Sequence, residues 1–187
     1  MNVKVNVTTV GLLGILFVAA LVTPALAATQ TPAKMTCNDF VMLDDTVKPK
    51  VVYWAEGFNK KGKPVDAVVD VDETDKLVPT LVADCKSTPK APILQKMKAQ
   101  AAAKKTHSNG SLAGASTPTK MTCADFVALD DVVKPKVVYW SEGFSKNGKP
   151  ADADIDVDET DKLVPVLISE CTATPKMSFW QKVKSHV

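Results

Sequence analysis

The chain has 187 residues, of which 45% are hydrophobic and 24% are charged. Its 23 basic residues, all of them lysine, nearly balance 21 acidic residues and give a formal net charge of +2 at pH 7. The chain is therefore almost neutral, and we predict no nucleic-acid partner.

The first residues have the pattern of a secretory signal peptide. A single charge, Lys4, precedes an apolar run over residues 10–22 and a small-residue string over 25–28. The apolar run is too short for a comfortable membrane span, and an A-x-A string is typical of signal cleavage. We predict that residues 1–27 are removed after Ala27, leaving an exported protein with no stable membrane insertion. An uncleaved membrane anchor is the alternative.

The rest of the chain contains nearly the same sequence twice. Residues 35–90 align with residues 121–176 at a constant offset of 86, and 41 of these 56 positions are identical. A repeat of this length indicates a duplicated domain. We predict domains over 28–105 and 120–187. The segment between them, 106–119, is rich in small and polar residues, which predicts a flexible linker with a root-mean-square reach of roughly 20 Å.

Each repeat opens with signals for two short helices. Thr36 and Asp39 resemble a capping box, and the helix that follows is predicted to end near Asp45. Pro49 suits the first turn of a second helix. Residues 59–62 supply a stop for it.

The second half of each repeat is also helical by pattern. Residues 65–71 fit one or two turns, and residues 72–75 form a polar start for a helix that leads to Cys85. A last, lysine-rich helix begins near Ile93. No alternating pattern predicts a sheet. The predicted fold class is therefore all-α, with two tandem small domains of four to five helices each.

Each repeat has two cysteines that are 48 positions apart. In an exported protein this spacing predicts one disulfide within each domain, Cys37–Cys85 and Cys123–Cys171. Zinc is the rival, but paired ligand spacing is absent, and His107 and His186 lie outside the aligned repeats. In the chain-entropy model each disulfide stabilises its domain by about 4 kcal/mol.

Signals for catalysis and for metal binding are weak. Neither aligned repeat contains a histidine, no free thiol is expected, and no phosphate loop or nucleophile elbow is present. Residues 70–75 resemble the opening of an EF-hand loop, but Asp75 replaces the required glycine and Leu81 the required glutamate. The second copy fails in the same way. We predict no enzymatic activity, no cofactor and no metal site.

The second helix of each repeat is too apolar for one small core. Residues 51–54 form a nearly continuous apolar run, and one face of a helix cannot bury all of it. The surplus favours a surface that meets another protein over plain core packing. The predicted interface residues are Val51, Val52, Tyr53, Trp54, Val68, Val69 and Val71, with Val137, Val138, Tyr139, Trp140, Ile155 and Val157 in the second copy.

Together these motifs resemble the HdeA family of periplasmic acid-stress chaperones. The shared features are a Thr-Cys-x-Asp-Phe opening, a Lys-Pro helix with an aromatic and Ala/Ser-Glu, the string Gly-Lys-Pro-x-Asp-Ala, an Asp-Val segment, a Val-Pro-x-Leu/Ile helix and the cysteine spacing. The resemblance covers residues 36–98 and 122–184. It implies an all-helical domain that is a homodimer near neutral pH and an ATP-independent holdase in strong acid. Family members carry one module per chain, so the duplication departs from the pattern.

The resemblance implies a location, partners and acid-sensing residues. The protein would act in the periplasm on unfolded or acid-denatured periplasmic proteins. The resemblance also implies that the interface residues named above bind clients. From the reach of the linker we predict that the two repeats pair within one chain as a pseudo-dimer. The acid-sensing carboxylates would be Asp39, Glu56 and Asp70, with Asp125, Glu142 and Asp156 in the second copy.

The chemistry of the charges fits that mechanism. Carboxylates that are paired or hydrogen-bonded in the folded state lose their stabilising effect as they are protonated, whereas lysines keep their charge. Two other classes of protein stay open. One is a disulfide-stapled binding or inhibitor module of the cell envelope without acid activation, and the other is a saposin-like lipid carrier.

Overall fold

A computed structural model describes residues 29–58, 68–105, 117–146 and 149–187. The first repeat contains α1 (Cys37–Met42), α2 (Lys48–Gly57), α3 (Val71–Ser87) and α4 (Ile93–Lys105). The second repeat contains a 3-10 turn (Pro118–Lys120), α5 (Cys123–Val127), α6 (Lys134–Gly143), α7 (Val157–Ala173) and α8 (Phe179–Lys184). Between α6 and α7, β1 (Ser145–Lys146) pairs with β2 (Lys149–Pro150) as an antiparallel hairpin. The predicted all-α class is confirmed.

The helices begin at the side chains that the sequence marks. Thr36 Oγ1 accepts from the Asp39 N–H at 3.3 Å, and Asp39 Oδ2 accepts from the Thr36 N–H at 2.9 Å, which completes the predicted capping box. The same box recurs at Thr122. Pro49 occupies the first turn of α2, where its missing N–H leaves no helical bond unmade. Helix α1 ends at Met42, earlier than predicted, because Leu43 is extended.

Two expectations about the connecting segments differ from the structure. Residues 65–67 lie outside the described residues, and residues 68–70 are not helical. The predicted turn of helix there is wrong for the described part, because Asp70 is extended and caps α3 by accepting from the Glu73 N–H at 3.0 Å. The small hairpin was not predicted, since strands of two residues carry no alternating pattern.

The disulfides tie the first helix of each repeat to its longest helix. Cys37–Cys85 joins α1 to α3, and Cys123–Cys171 joins α5 to α7, as predicted. All four cysteines are fully buried. The core of each repeat also includes buried side chains such as Phe40, Leu81, Ile93 and Met97 in the first repeat and Phe126, Leu167, Phe179 and Val183 in the second.

The predicted boundary segments lie partly outside the described residues. The signal peptide, residues 1–27, and residues 106–116 of the linker are among those not described. Residues 117–119 were assigned to the linker, but Pro118 is buried and its turn packs on α6 and α8. The folded part of the second repeat therefore includes this turn.

Candidate functional site at the contact between the repeats

Helices α2 and α6 pack against each other and join the two repeats. We call this contact, formed by residues 50–57 of α2 and 136–143 of α6, the α2–α6 interface. Residues 51–58 are all buried, and so are residues 137–143. Since α2 also contacts α3 and α4 of its own repeat, it is covered on several sides. This explains why its sequence is apolar around most of the helix.

Two glycines allow the helices to approach closely. A Cβ atom built on Gly57 would lie 2.1 Å from the carbonyl oxygen of Trp140, and one on Gly143 would lie 2.0 Å from that of Trp54. No side chain fits at either distance. The contact is therefore a backbone-to-backbone crossing that is nearly symmetric between the repeats.

The tryptophans on either side of this crossing are fully buried. Trp54 stacks on Phe58 with ring centroids 5.0 Å apart, and Trp140 stacks on Phe144 at 5.3 Å. The indole Nε1 of Trp54 donates to the carbonyl oxygen of Asp152 in the other repeat at 3.1 Å. The aromatic side chains thus belong to the core of their own repeat and to the contact between repeats at once.

Two ion pairs connect the repeats at the rim of the interface. Lys50 Nζ lies 2.7 Å from Asp161 Oδ2, and Lys136 Nζ lies 2.7 Å from Asp75 Oδ2. We call these the cross-repeat ion pairs. Each lysine also lies over a tyrosine ring of the other repeat, with centroid distances of 5.4 Å for Tyr139 and 5.6 Å for Tyr53.

Each aspartate of these pairs also accepts a hydrogen bond from within its own repeat. Tyr53 Oη donates to Asp75 at 2.8 Å, and Tyr139 Oη donates to Asp161 at 2.9 Å. Burial and the neighbouring carboxylates raise the pKa of both tyrosines, which therefore stay neutral donors. Each aspartate is thus held between a tyrosine of its own repeat and a lysine of the other.

The sequence does not reveal the residues of the cross-repeat ion pairs. Its patterns place Asp75 in a polar helix start and in an incomplete calcium loop, and they give Lys50 no role. Both occur in strings that are identical in the two copies, but identity between copies does not show which positions meet. Pairing across two helices depends on how the repeats dock.

Apolar burial outweighs these ion pairs in holding the interface together. Burying a valine or aromatic side chain stabilises by about 1.5–3 kcal/mol, whereas an exposed ion pair contributes about 0–1 kcal/mol. The aspartates of the pairs are about half exposed, at 49% and 47%. Ion pairs of this kind make a small contribution to the stability of the closed state, and the apolar side chains supply most of it.

A short segment before α1 also crosses to the second repeat. Gln30 and Ile155 exchange backbone hydrogen bonds of 2.8 Å and 2.6 Å in an isolated antiparallel bridge. Ile155 is fully buried beneath it. The bridge therefore covers one of the predicted client-binding residues.

The chain was compared with known proteins. The model of the HdeA/HdeB family matches it twice, over residues 10–95 and 96–181. The chain belongs to the HdeA/HdeB family. This confirms the resemblance noted from the motifs.

Individual relatives of the family match one repeat's length. The "Probable acid stress chaperone HdeA" of Brucella ovis and that of Brucella melitensis are each 44% identical over 69 residues, which is 37% of this chain and 60% of the relative. The "Acid stress chaperone HdeA" of Escherichia coli is 34% identical over 65 residues, 35% of this chain and 59% of the relative. The match thus spans about 60% of the relatives' length. No solved structure matches the chain.

In the closed structure of this HdeA/HdeB family chain, the predicted client-binding residues are covered. Val51, Val52, Tyr53, Trp54 and Val69 are buried, as are their second-copy counterparts Val137, Val138, Tyr139, Trp140 and Ile155. Val68, Val71 and Val157 are half-buried. Client binding by this set stays a prediction, and it requires the repeats to separate.

The predicted acid-sensing carboxylates lie at helix starts and inside the repeats. Hydrogen bonds from Thr36 lower the pKa of Asp39, and those from Thr122 lower the pKa of Asp125. Their stabilisation is present above the ordinary aspartate pKa and is lost as pH falls through the lowered value. Asp70 and Asp156 cap α3 and α7 through 3.0 Å bonds from Glu73 and Glu159.

The remaining two predicted sensors are buried glutamates. Thr74 Oγ1 donates to Glu56 at 2.9 Å, and Thr160 Oγ1 lies 3.1 Å from Glu142. Burial raises the pKa of Glu142 to about 8. A neutral Glu142 can donate to Thr160 Oγ1, which in turn lies 2.9 Å from the carbonyl oxygen of Asp156. Glu142 thus holds its proton at neutral pH, and the loss of stability in acid that applies to Asp39 does not apply to it.

Other carboxylates do have the expected response to acid. Lys48 lowers the pKa of Asp45, and Lys134 lowers the pKa of Asp131, each through a 2.7 Å ion pair within its repeat. The lysine ends are buried, with only 7% of each residue exposed. These pairs were missed because i,i+3 spacing alone does not show that a lysine will be buried.

The described residues include four disulfide-bonded cysteines and many acidic side chains. Within them, no group of His, Cys, Asp or Glu is arranged to hold a metal ion. Across the same residues, no helix is long and apolar enough to span a bilayer.

Proposed function

We propose that this protein is an acid-stress chaperone of the periplasm that holds unfolding proteins without ATP. The observation that carries the proposal is the α2–α6 interface, in which two nearly identical apolar surfaces are hidden against each other. Membership of the HdeA/HdeB family and the names of the relatives support the same function. The clients are acid-denatured proteins of the same compartment.

The closed chain is a pseudo-dimer in this proposal. One repeat takes the place of each subunit, and the interface uses the same residues from both, with Gly57 and Gly143 at the crossing. The apolar side chains are unavailable while the repeats are closed. Client binding therefore follows opening.

Acid favours opening through charge rather than through loss of apolar contact. Strong acid neutralises carboxylates in general, so the cross-repeat ion pairs are lost and the helix starts that aspartates cap are weakened. At the same time lysines lose their counter-charges. After removal of Lys4 with the signal, 22 lysines and two histidines carry a net charge that approaches about +24. Self-repulsion of this size destabilises a compact state and keeps complexes soluble.

The disulfides limit how far each repeat unravels. Cys37–Cys85 and Cys123–Cys171 keep the first and longest helices of each repeat together. A disulfide constrains the open state and is unaffected by acid. The chain can therefore separate its repeats and close again when pH rises.

The test is client aggregation across pH 2 to 7 with residues 28–187. A globular client that unfolds at pH 2 is mixed with the chain, and light scattering is followed at each pH. We expect suppression below about pH 3 and little at pH 7, with circular dichroism reporting the chain's own helix content. Equal suppression at pH 7 and pH 2 would instead support an envelope binding module, and no suppression at any pH would contradict the proposal.

A further inference from the structure

In each repeat, a side chain near the end of the chain segment that forms the last helix contacts the same position of the longest helix. The residues that make this contact differ between the repeats. Gln100 on α4 donates to Asp84 on α3 with a distance of 2.6 Å. At the offset of 86, the corresponding residues are His186 and Glu170. There the imidazole Nε2 lies 3.1 Å from Glu170 Oε2, and Lys182 Nζ lies 3.4 Å from the same oxygen.

These two side-chain contacts respond differently to acid. The amide of Gln100 carries no charge and can bond to a carboxylate or to a protonated carboxyl group. A histidine is positively charged in acid, where it attracts a carboxylate but gains no such attraction from a protonated carboxyl group. Hydrogen bonds from His186, with help from Lys182, lower the pKa of Glu170. The attraction is therefore lost only in strong acid, as Glu170 is protonated.

The charged surroundings of His186 strengthen this effect. It lines a cavity of about 340 Å³ whose other ionisable side chains are Glu142, Asp152, Asp156, Glu159 and Lys162. The elements packed together here also carry Lys120 on the 3-10 turn and Lys182 and Lys184 on α8. Once the acids are neutral, Lys162 and Lys182 remain as positive charges near the imidazole, and they repel it.

The contacts beneath α8 also differ from those beneath α4. Phe179 stacks on Phe126 with centroids 4.2 Å apart, and Trp180 meets Phe144 edge-on at 5.3 Å. The indole Nε1 of Trp180 is buried, and among the described residues no acceptor pairs with it. Leu94 stands at the corresponding position of α4 and has no donor to satisfy. An unmet buried donor weakens the docking of α8.

We propose that in strong acid α8 is released before α4, and that its release uncovers in the second repeat alone an aromatic surface for unfolded polypeptide, formed by Phe126 and Phe144. This surface adjoins the α2–α6 interface, because Phe144 stacks on Trp140, but α8 is the element that packs on both Phe126 and Phe144. Its use for clients rests on the proposed chaperone function, whereas the order of release does not. The partner it fits is an apolar stretch of an unfolded chain.

The order of release is measured by NMR without any client. Backbone chemical shifts report helix content in α4 and α8 as the pH of the full chain is lowered from 6 to 2. We expect α8 to lose helix at a higher pH than α4. Exchange of the two side chains should exchange the behaviour: His186→Gln lowers the release pH of α8 by about half a pH unit, and Gln100→His raises that of α4 by a similar amount. His107→Gln is the matched control and should change neither value.

The client surface is tested in the same samples. Reduced and alkylated lactalbumin, which stays unfolded, is added at pH 3, and line broadening is compared between Phe126 and Phe144 and their first-repeat counterparts Phe40 and Phe58. Stronger broadening in the second repeat is expected. The inference would be overturned if α4 and α8 lost helix at the same pH. It would also be overturned if the two substitutions did not shift the release pH of their own helix in the expected direction. Broadening confined to α2 and α6 would overturn the second surface, while failure of the aggregation assay alone would leave the release order standing.

Discussion

Gly57 faces the backbone carbonyl of Trp140 so closely that a Cβ atom on residue 57 would lie 2.1 Å from that oxygen. Gly143 stands in the same relation to Trp54, at 2.0 Å. Real Cβ atoms do not approach an oxygen to this distance. The two glycines therefore set how deeply α2 and α6 pack, and with that how much apolar surface the repeats hide from water.

Replacement of both glycines by alanine should separate the repeats at pH 7. Two added methyl groups push the helix backbones apart, and overpacking of this kind costs about 1–3 kcal/mol at each site. Each repeat keeps its own disulfide and core, so far-UV circular dichroism should change little. Binding of a fluorescent apolar dye at pH 7 should rise to the level that the wild type shows only in acid. Lys90→Ala, at an exposed turn, is the control. A double glycine variant that binds no more dye than this control would show that the crossing tolerates a side chain.

The cross-repeat ion pairs should affect the pH at which the chain opens. Asp75→Asn with Asp161→Asn removes both pairs but keeps similar side-chain shapes. The free energy of opening should fall at pH 7 by about 1–2 kcal/mol in total, within the range for two partly exposed pairs. Strong acid neutralises carboxylates in general, so at pH 2 the variant and the wild type should no longer differ. Apolar dye binding followed from pH 7 to pH 2 should therefore show opening of the variant at a higher pH.

Asp44→Asn with Asp130→Asn is the matched control for this test. These aspartates are exposed and lie outside the α2–α6 interface. The same number of charges is removed, so an effect of overall charge would appear in both variants. An unchanged opening pH in the Asp75 and Asp161 variant would place acid sensing elsewhere, with the capping aspartates Asp39 and Asp125 as the next candidates.

The sequence was sufficient for features that depend on neighbours along the chain. The capping box at Thr36 and the start of α2 at Pro49 follow from local rules, and the disulfides follow from equal cysteine spacing in an exported protein. The surplus of apolar residues in α2 also indicated a second contact surface. The sequence could not show that Lys136 reaches Asp75, because that distance depends on the docking of two repeats. Nor could it show the raised pKa of Glu142, which comes from burial.

Glu142 should lower stability as pH rises, which is opposite to the effect of a paired carboxylate. Its folded pKa of about 8 lies above the ordinary glutamate value of 4.5. Its contribution is therefore complete below about pH 4.5 and is lost as pH rises through 8. Glu142→Gln keeps a neutral hydrogen-bonding side chain next to Thr160. Urea denaturation at pH 6, 7.5 and 9 should show a falling free energy of unfolding in the wild type and a flatter one in the variant. The control is Glu159→Gln, at an exposed position of α7, which should keep the wild-type slope.

The tether between the repeats should make closure independent of protein concentration. The reach of roughly 20 Å that the sequence predicts for the linker would give each repeat a millimolar effective concentration of the other. This effective concentration is about a hundredfold higher than that of a free partner at 10 micromolar. The difference favours closure by about 2.8 kcal/mol. The mature chain should therefore be a monomer at pH 7 by analytical ultracentrifugation, and its opening pH should not change on dilution. A matched sample carries a site-specific protease sequence within residues 106–116 and is cut after purification. The cut protein should open at a higher pH than the uncut one, and its opening pH should rise further on dilution. If the intact chain instead sediments as a concentration-dependent dimer at micromolar levels, the repeats pair between chains and the tether does not govern closure.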